Sequence, residues 1–147
     1  ALEPRSGDRM LDVGTGSGYQ AAILARLVER VYGIERLLPL ARHARARLAR
    51  DPGVRGNVEI VVADGWLGFP GRLAFDGIVV SAAAEEVPEA LLAQLAPDGR
   101  LLMPIGPPGL QELVRVRRGR GGRVSEEALG GCAFVPLVRG GAGAAER

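Results

Sequence analysis

The chain of 147 residues contains no lysine: its 19 basic residues are all arginine, set against 17 acids for a net charge of +2. Arginine does not deprotonate at working pH, so the isoelectric point stands near 9.3 without a large positive field. Cysteine occurs once, at Cys132, and histidine once, at His43. A lone cysteine excludes an internal disulfide and suits a reducing compartment. One cysteine and one histidine make no metal-binding cluster, so no metal is expected. The same scarcity removes any Ser-His or Cys-His pair for nucleophilic catalysis. Aromatic residues are only 4%, too few for the stacking platforms of a nucleic-acid groove, so no nucleic-acid partner is expected. No apolar run approaches the roughly 18 residues that span a bilayer. The opening residues do not read as a signal peptide, so none is expected. A cytoplasmic protein without a membrane partner, and monomeric, is the expectation.

What is present is ordinary in bulk, with 47% hydrophobic and 24% charged residues, and the length fits one domain able to bury a core. Short apolar runs alternate with helical patterns. RMLDV (9–13), VYGIE (31–35), VEIVVADG (58–65), FDGIVVSAA (75–83) and RLLMPIG (100–106) read as strands. YQAAILARLVER (19–30), LLPLARHARARLAR (37–50) and VPEALLAQL (87–95) read as helices; Ala21, Leu24, Ala25 and Val28 of the first fall on one face. Near-continuous apolar strands are those covered on both faces. The pattern therefore predicts a doubly wound α/β fold with a mostly parallel sheet. Beyond Gly106, strand-like runs at 110–118 and 123–137 flank GRGG (119–122), which predicts a closing antiparallel hairpin.

The densest signal is LDVGTGSGYQ (11–20), with glycines at 14, 16 and 18 between the first strand and the first helix. In an open α/β sheet, ligands sit at the carboxyl ends of the strands near the switch point. Gly14 can take a positive φ there, Gly16 and Gly18 let a ligand approach the backbone, and helical N–H groups point at the site. The spacing is G-x-G-x-G, whereas a dinucleotide fingerprint is G-x-G-x-x-G and would want glycine at Tyr19. A Walker A loop needs the lysine that is missing. S-adenosylmethionine, with an amine and a carboxylate but no pyrophosphate, fits better; Asp12 could face its amine. Glu35 ends the second strand, where an acid can accept bonds from ribose hydroxyls. Asp64 ends the third, where it could receive an adenine amino group. Each has a plainer reading: a tight turn, a surface carboxylate and an Asp-Gly turn residue.

LDVGTGSGYQAAILA, VYGIER, VADGWLGFP, FDGIVVSAAAEEVPEALLAQLAPDGRLLMPIG, QELVRV and GGCAFVPLV, in this order and spacing, resemble the protein-L-isoaspartate O-methyltransferases. The resemblance runs from about Gly7 to Arg139. It implies a Rossmann-like methyltransferase domain over 1–139, with GGAGAAER (140–147) a flexible tail. It also implies the activity: moving a methyl from S-adenosylmethionine to the α-carboxylate of L-isoaspartyl residues in damaged proteins, as repair. By position, Gly14, Thr15, Gly16, Ser17 and Gly18 would wrap the methionine part of the cofactor. Glu35 would hold the ribose with Arg36 beside it, and Asp64-Gly65 would sit at the adenine. Ser81, Ala82 and Ala83 would face the methyl group and the acceptor; Phe134, Val135, Pro136 and Leu137 would help bind the substrate peptide. A carboxylate acceptor is already ionised at neutral pH, so no strong general base is required.

The family's N-terminal helical segment, with a G-x-x-Q-T-I-S type motif whose serine contacts the acceptor, has no counterpart here, since the chain begins ALEPRSGDRM. No catalytic residue is therefore assigned, and retained cofactor binding with weak or no turnover is expected. The alternatives are a cofactor-binding core without full activity and a small-molecule methyltransferase of the same fold; a nicotinamide oxidoreductase is disfavoured by the glycine spacing. Cys132 and Trp66 read as packing residues, and RVRRGRGGR (115–123) as a solvated hairpin tip that could contact acidic substrate segments.

Overall fold

A computed structural model describes residues 1–140; apart from Gly140, the tail expected at 140–147 lies outside the described residues. Seven strands form one sheet: β1 (Arg9–Val13), β2 (Arg30–Glu35), β3 (Val58–Val62), β4 (Phe75–Val80), β5 (Leu95–Ile105), β6 (Gln111–Arg118) and β7 (Val124–Cys132), in the order β3-β2-β1-β4-β5-β6-β7. The first five pair in parallel, and β6 and β7 add antiparallel at the β5 edge. The order runs outward from β1 in both directions, so the turn that leaves β1 sits at the switch point.

Side-chain alternation along the strands makes two cores. On one face, Met10, Val31 and Ile60 pack against α1 (Tyr19–Ala25) and α2 (Leu38–Arg50), through Ala21, Leu24, Ala41, Ala44 and Leu48. On the other, Leu11, Val13, Ile34, Ile78, Leu101 and Met103 meet Phe69, Phe75 and Leu91, the last on α3 (Glu89–Ala93). Tyr32, Phe69 and Phe75 stack edge to face here, with ring centroids 5.1 to 6.0 Å apart. The doubly wound sheet and its antiparallel closure are as the sequence implies.

Several boundaries differ from the sequence expectation, for local reasons. Helix α1 ends at Ala25, not Arg30, because Glu29 and Arg30 both turn their N–H groups to the Asp8 carbonyl. Val28 nevertheless stays buried, so the periodic pattern runs on past the helix. Pairing of β5 begins at Leu95, ahead of the Pro97-Asp98-Gly99 turn, with a register shift opposite Phe75/Gly77. The last expected strand stops at Cys132, and 133–140 leave the sheet as a strap. The strap pairs instead with Ala83, whose N–H donates to Val135 O at 2.8 Å and whose carbonyl accepts from Leu137 N at 2.7 Å.

One glycine in the sheet positions the turn after β1. A Cβ on Gly33 would lie 2.5 Å from Thr15 Oγ1 and 3.1 Å from an Ile60 side-chain carbon. Thr15 is 5% exposed and hydrogen-bonds the Asp12 carbonyl, so it has nowhere to retreat. Gly33→Ala is expected to destabilise the protein by about 1–3 kcal/mol, read as a lower urea midpoint. An unchanged midpoint would contradict this packing.

Candidate functional site

The turn from Gly14 to Gly18 is shaped by positive φ values of 83°, 55° and 82° at its three glycines, a run that side chains would resist. Ile34 O accepts from both Gly14 N (2.9 Å) and Thr15 N (3.1 Å), tying the turn to the end of β2. A Cβ on Gly18 would sit 3.2 Å from the Ala44 Cβ, so that glycine allows close packing of α2 on the start of α1.

Glu35, at the end of β2, is buried and bridges two elements. Its Oε2 accepts from Gly16 N at 2.9 Å and its Oε1 from Leu37 N, also at 2.9 Å. The carboxylate thus holds the glycine turn and the start of α2 together. Each oxygen has accepted one bond and keeps further acceptor capacity. Arg36 beside it has a buried Nε–H without a partner.

Asp12 lies beneath the turn, fully buried. Gln20 Nε2 donates to its Oδ1 at 3.1 Å, while its Oδ2 has no partner. Burial pushes the carboxyl up to about 7, against the lowering effect of the Gln20 and Thr15 hydrogen bonds, and the nearby Glu35 charge adds to the rise. A buried, half-satisfied acid is a seat for a hydrogen-bond donor or a cation.

Beside the turn lies a cavity of about 330 Å³. It brings together Gly14, Glu35, Arg36, Gly65, Ser81, Ala82, Val135, Pro136 and Leu137, all expected from the sequence. Val13, Ile34, Leu37, Ala63 and Val138 also line it and were not expected. Those five are apolar positions at strand ends, at the helix start and on the strap. The strand-end rule could have found Val13, Ile34 and Ala63. Of the other expected residues, Asp12 and Thr15 are buried below the turn and Gly18 packs against α2. Gly16, Ser17, Ala83 and Phe134 stand outside the lining.

Asp64 is also off the cavity wall. Its Oδ1 accepts from Trp66 N at 2.9 Å, and its Oδ2 from Gly140 N at 3.0 Å. Gly65 does reach the cavity: a Cβ there would fall 2.5 Å from Val13 Cγ1. Trp66 anchors the strap. Its Nε1–H donates to Leu137 O at 3.0 Å, and the Arg139 guanidinium sits 3.9 Å over its ring. Gln111 pins the other end, accepting from Phe134 N at 2.7 Å and donating to Phe134 O at 3.1 Å.

A glycine turn at the switch point, an acid capping it from the next strand and an apolar slot between them make a candidate small-ligand site at the carboxyl ends of the strands. The family model described as protein-L-isoaspartate(D-aspartate) O-methyltransferase matches residues 1–142. A relative named protein-L-isoaspartate O-methyltransferase, from Methanoculleus marisnigri, is 51% identical over 137 residues, 93% of this chain and 61% of its own length. One from Halorhodospira halophila is 51% identical over 140 residues, 95% of this chain and 62% of its own. Among solved structures, a Plasmodium falciparum protein described as a protein-L-isoaspartate O-methyltransferase, in complex with S-adenosyl-L-homocysteine, superposes with a TM-score of 0.77 at 30% identity. The match covers 91% of this chain and 67% of that one. The chain belongs to the protein-L-isoaspartate(D-aspartate) O-methyltransferase family, and it spans about 61% of the length of the curated relatives it matches.

The Asp12 carboxyl makes stability depend on pH. Between its unfolded value near 3.8 and its folded value of about 7, the folded protein holds a proton that the unfolded chain has released. The Asp12 contribution to stability is therefore highest below that window and falls as pH rises through it, with no further loss from Asp12 above about 7. Asp12→Asn is expected to raise the melting temperature at pH 8 and to lose that gain towards pH 4. A gain that is the same at both pH values would contradict the assignment.

Proposed function

We propose that this chain forms the S-adenosylmethionine-binding part of a repair methyltransferase that acts on the α-carboxylate of L-isoaspartyl residues in damaged proteins. The observation that carries the reading is the cavity at the switch point, closed between Gly14, Glu35 and the strap, in a chain of this family. The residues suit the cofactor on their own chemistry. The orphaned Asp12 Oδ2 suits an ammonium group, directly or through a water, and the free acceptor capacity of Glu35 suits ribose hydroxyls. The apolar walls of Ile34, Leu37, Ala63 and Val138 suit a purine and a thioether chain. Arg36, with its unpartnered Nε–H, supplies a donor at the same rim.

When bound, the cofactor supplies an electrophilic methyl group on a sulfonium. The chain's own work is placement and exclusion of water. Ser81 and Ala82 form the wall after β4, and Val135, Pro136 and Leu137 form the opposite one. We assign the acceptor side of the cavity to these two walls, with Ala83 and Phe134 behind them: Ala83 holds the strap in place, and Gln111 holds Phe134. An ionised carboxylate needs no base to become a nucleophile, so no titrating side chain is demanded of this rim. Damaged proteins with isoaspartyl linkages are the partners this implies.

Calorimetric titration tests the cofactor half of the reading. S-adenosylhomocysteine is expected to bind and NAD not to. Glu35→Ala is expected to weaken binding roughly 10- to 100-fold, the effect of losing hydrogen bonds to a charged group. Binding of NAD instead, or equal affinity in the variant, would overturn it. For the substrate half, labelled methyl transfer by the whole protein should favour an isoaspartyl peptide over its aspartyl counterpart. Equal labelling of the two, or labelling of neither beside a methylated small molecule, would overturn that.

A further inference from the structure

The strongest unassigned feature lies at the opposite rim of the sheet. Pairing of Arg100 with Arg117 puts the tip of the β6–β7 hairpin at the amino ends of the parallel strands, away from the glycine turn. A hollow of about 620 Å³ there is lined by Arg5, Arg117, Arg118, Arg120 and Arg123, with Asp98 the only acid among the described residues of its wall. Some of these charges are used locally. Arg120 pairs with Asp98 at 2.7 Å, and Arg118 donates to the Leu95 carbonyl at 2.8 Å. Arg115, two residues back on β6, faces Glu127 across the strands and pairs with it. Arg117 lies between Arg100 on β5 and Ser125 on β7, and among the described residues it pairs only with Glu3, at 3.6 Å. Arg5 and Arg123 make no ion pair among the described residues. The tip is held in shape, with Gly119 N donating to Arg123 O at 2.8 Å and Gly122 N to Gly119 O at 2.9 Å.

We propose that this hollow docks an acidic protein segment carrying at least two neighbouring carboxylates. A concave surface lined by one sign of charge concentrates the field and the counter-charge. Guanidinium groups favour planar, forked acceptors such as carboxylates. No aromatic ring among the described residues lines the hollow, so it lacks the stacking surface that single-stranded nucleic acid uses. The choice of a protein partner rests on the repair reading above. The hollow would hold an acidic stretch of a substrate protein at a second point, remote from the reacting carboxylate.

The test is fluorescence anisotropy with a labelled hexaglutamate peptide, which has no aspartyl or isoaspartyl residue and is therefore silent at the transfer site. Saturable binding is expected at about 50 mM salt, weakened at about 300 mM by screening, and unaltered by saturating S-adenosylhomocysteine. Arg5→Ser combined with Arg123→Ser should weaken it roughly tenfold or more, with melting temperature and S-adenosylhomocysteine affinity unchanged. Absence of binding, equal binding by the double variant, displacement by S-adenosylhomocysteine, or tighter capture of an oligothymidylate of equal charge would each overturn the proposal. The S-adenosylhomocysteine titration is read separately, so failure of the cofactor reading and failure of this one give different results.

Discussion

The site depends on a buried carboxylate that accepts backbone N–H groups from two elements. Glu35 takes one N–H from the glycine turn and one from the start of α2. Burying a carboxylate without partners costs several kcal/mol, so the arrangement is stable only while both donors stay in place. That requirement fixes the turn relative to the helix. It also fixes Ile34 beside them, whose carbonyl accepts from Gly14 and Thr15. The chain reaches this geometry because glycine stands at 14, 16 and 18, where φ is positive, and at 33, where Thr15 needs the space. The cavity is therefore formed in advance by the protein's own hydrogen bonds, which lowers the ordering cost of binding.

The second wall is built on a different principle. The strap leaves the sheet after Cys132 and is held by separate contacts spread along it: Gln111 at Phe134, Ala83 at Val135 and Leu137, Trp66 at Leu137 and Arg139, and Asp64 at Gly140. None of these comes from a regular sheet ladder. The first wall is part of the sheet itself, whereas the second is laid across it. Asp64 and Trp66 contribute to the cavity through the strap they hold, while Gly65 between them reaches it directly because it has no side chain.

Much of this was legible in the sequence. The strands are short apolar runs at regular spacing, the glycine turn follows the first of them, and Glu35 ends the second; each signal is local, so each could be read locally. The remainder depends on long-range hydrogen bonds. Helix α1 stops early because a carbonyl well upstream of Glu29, that of Asp8, competes for the N–H groups that follow it. The strap carries β-forming residues and read as strand, but its partner is Ala83, far back in the chain. Asp64 read as a ligand-facing acid from its place at a strand end, yet its oxygens go to Trp66 and Gly140. The apolar cavity residues Leu37 and Val138 carried no chemical signal, since lining an apolar wall asks only for hydrophobic surface.

Where the cofactor product lands on the protein is the decisive observation. Amide chemical shifts of the labelled protein, followed by NMR as S-adenosylhomocysteine is added, report this residue by residue. The largest changes are expected at Gly14, Gly16, Leu37, Val135, Leu137 and Val138, with the Arg118–Arg123 tip unmoved. Changes confined to any other region, with the glycine turn silent, would contradict a cofactor site built on Glu35 and that turn.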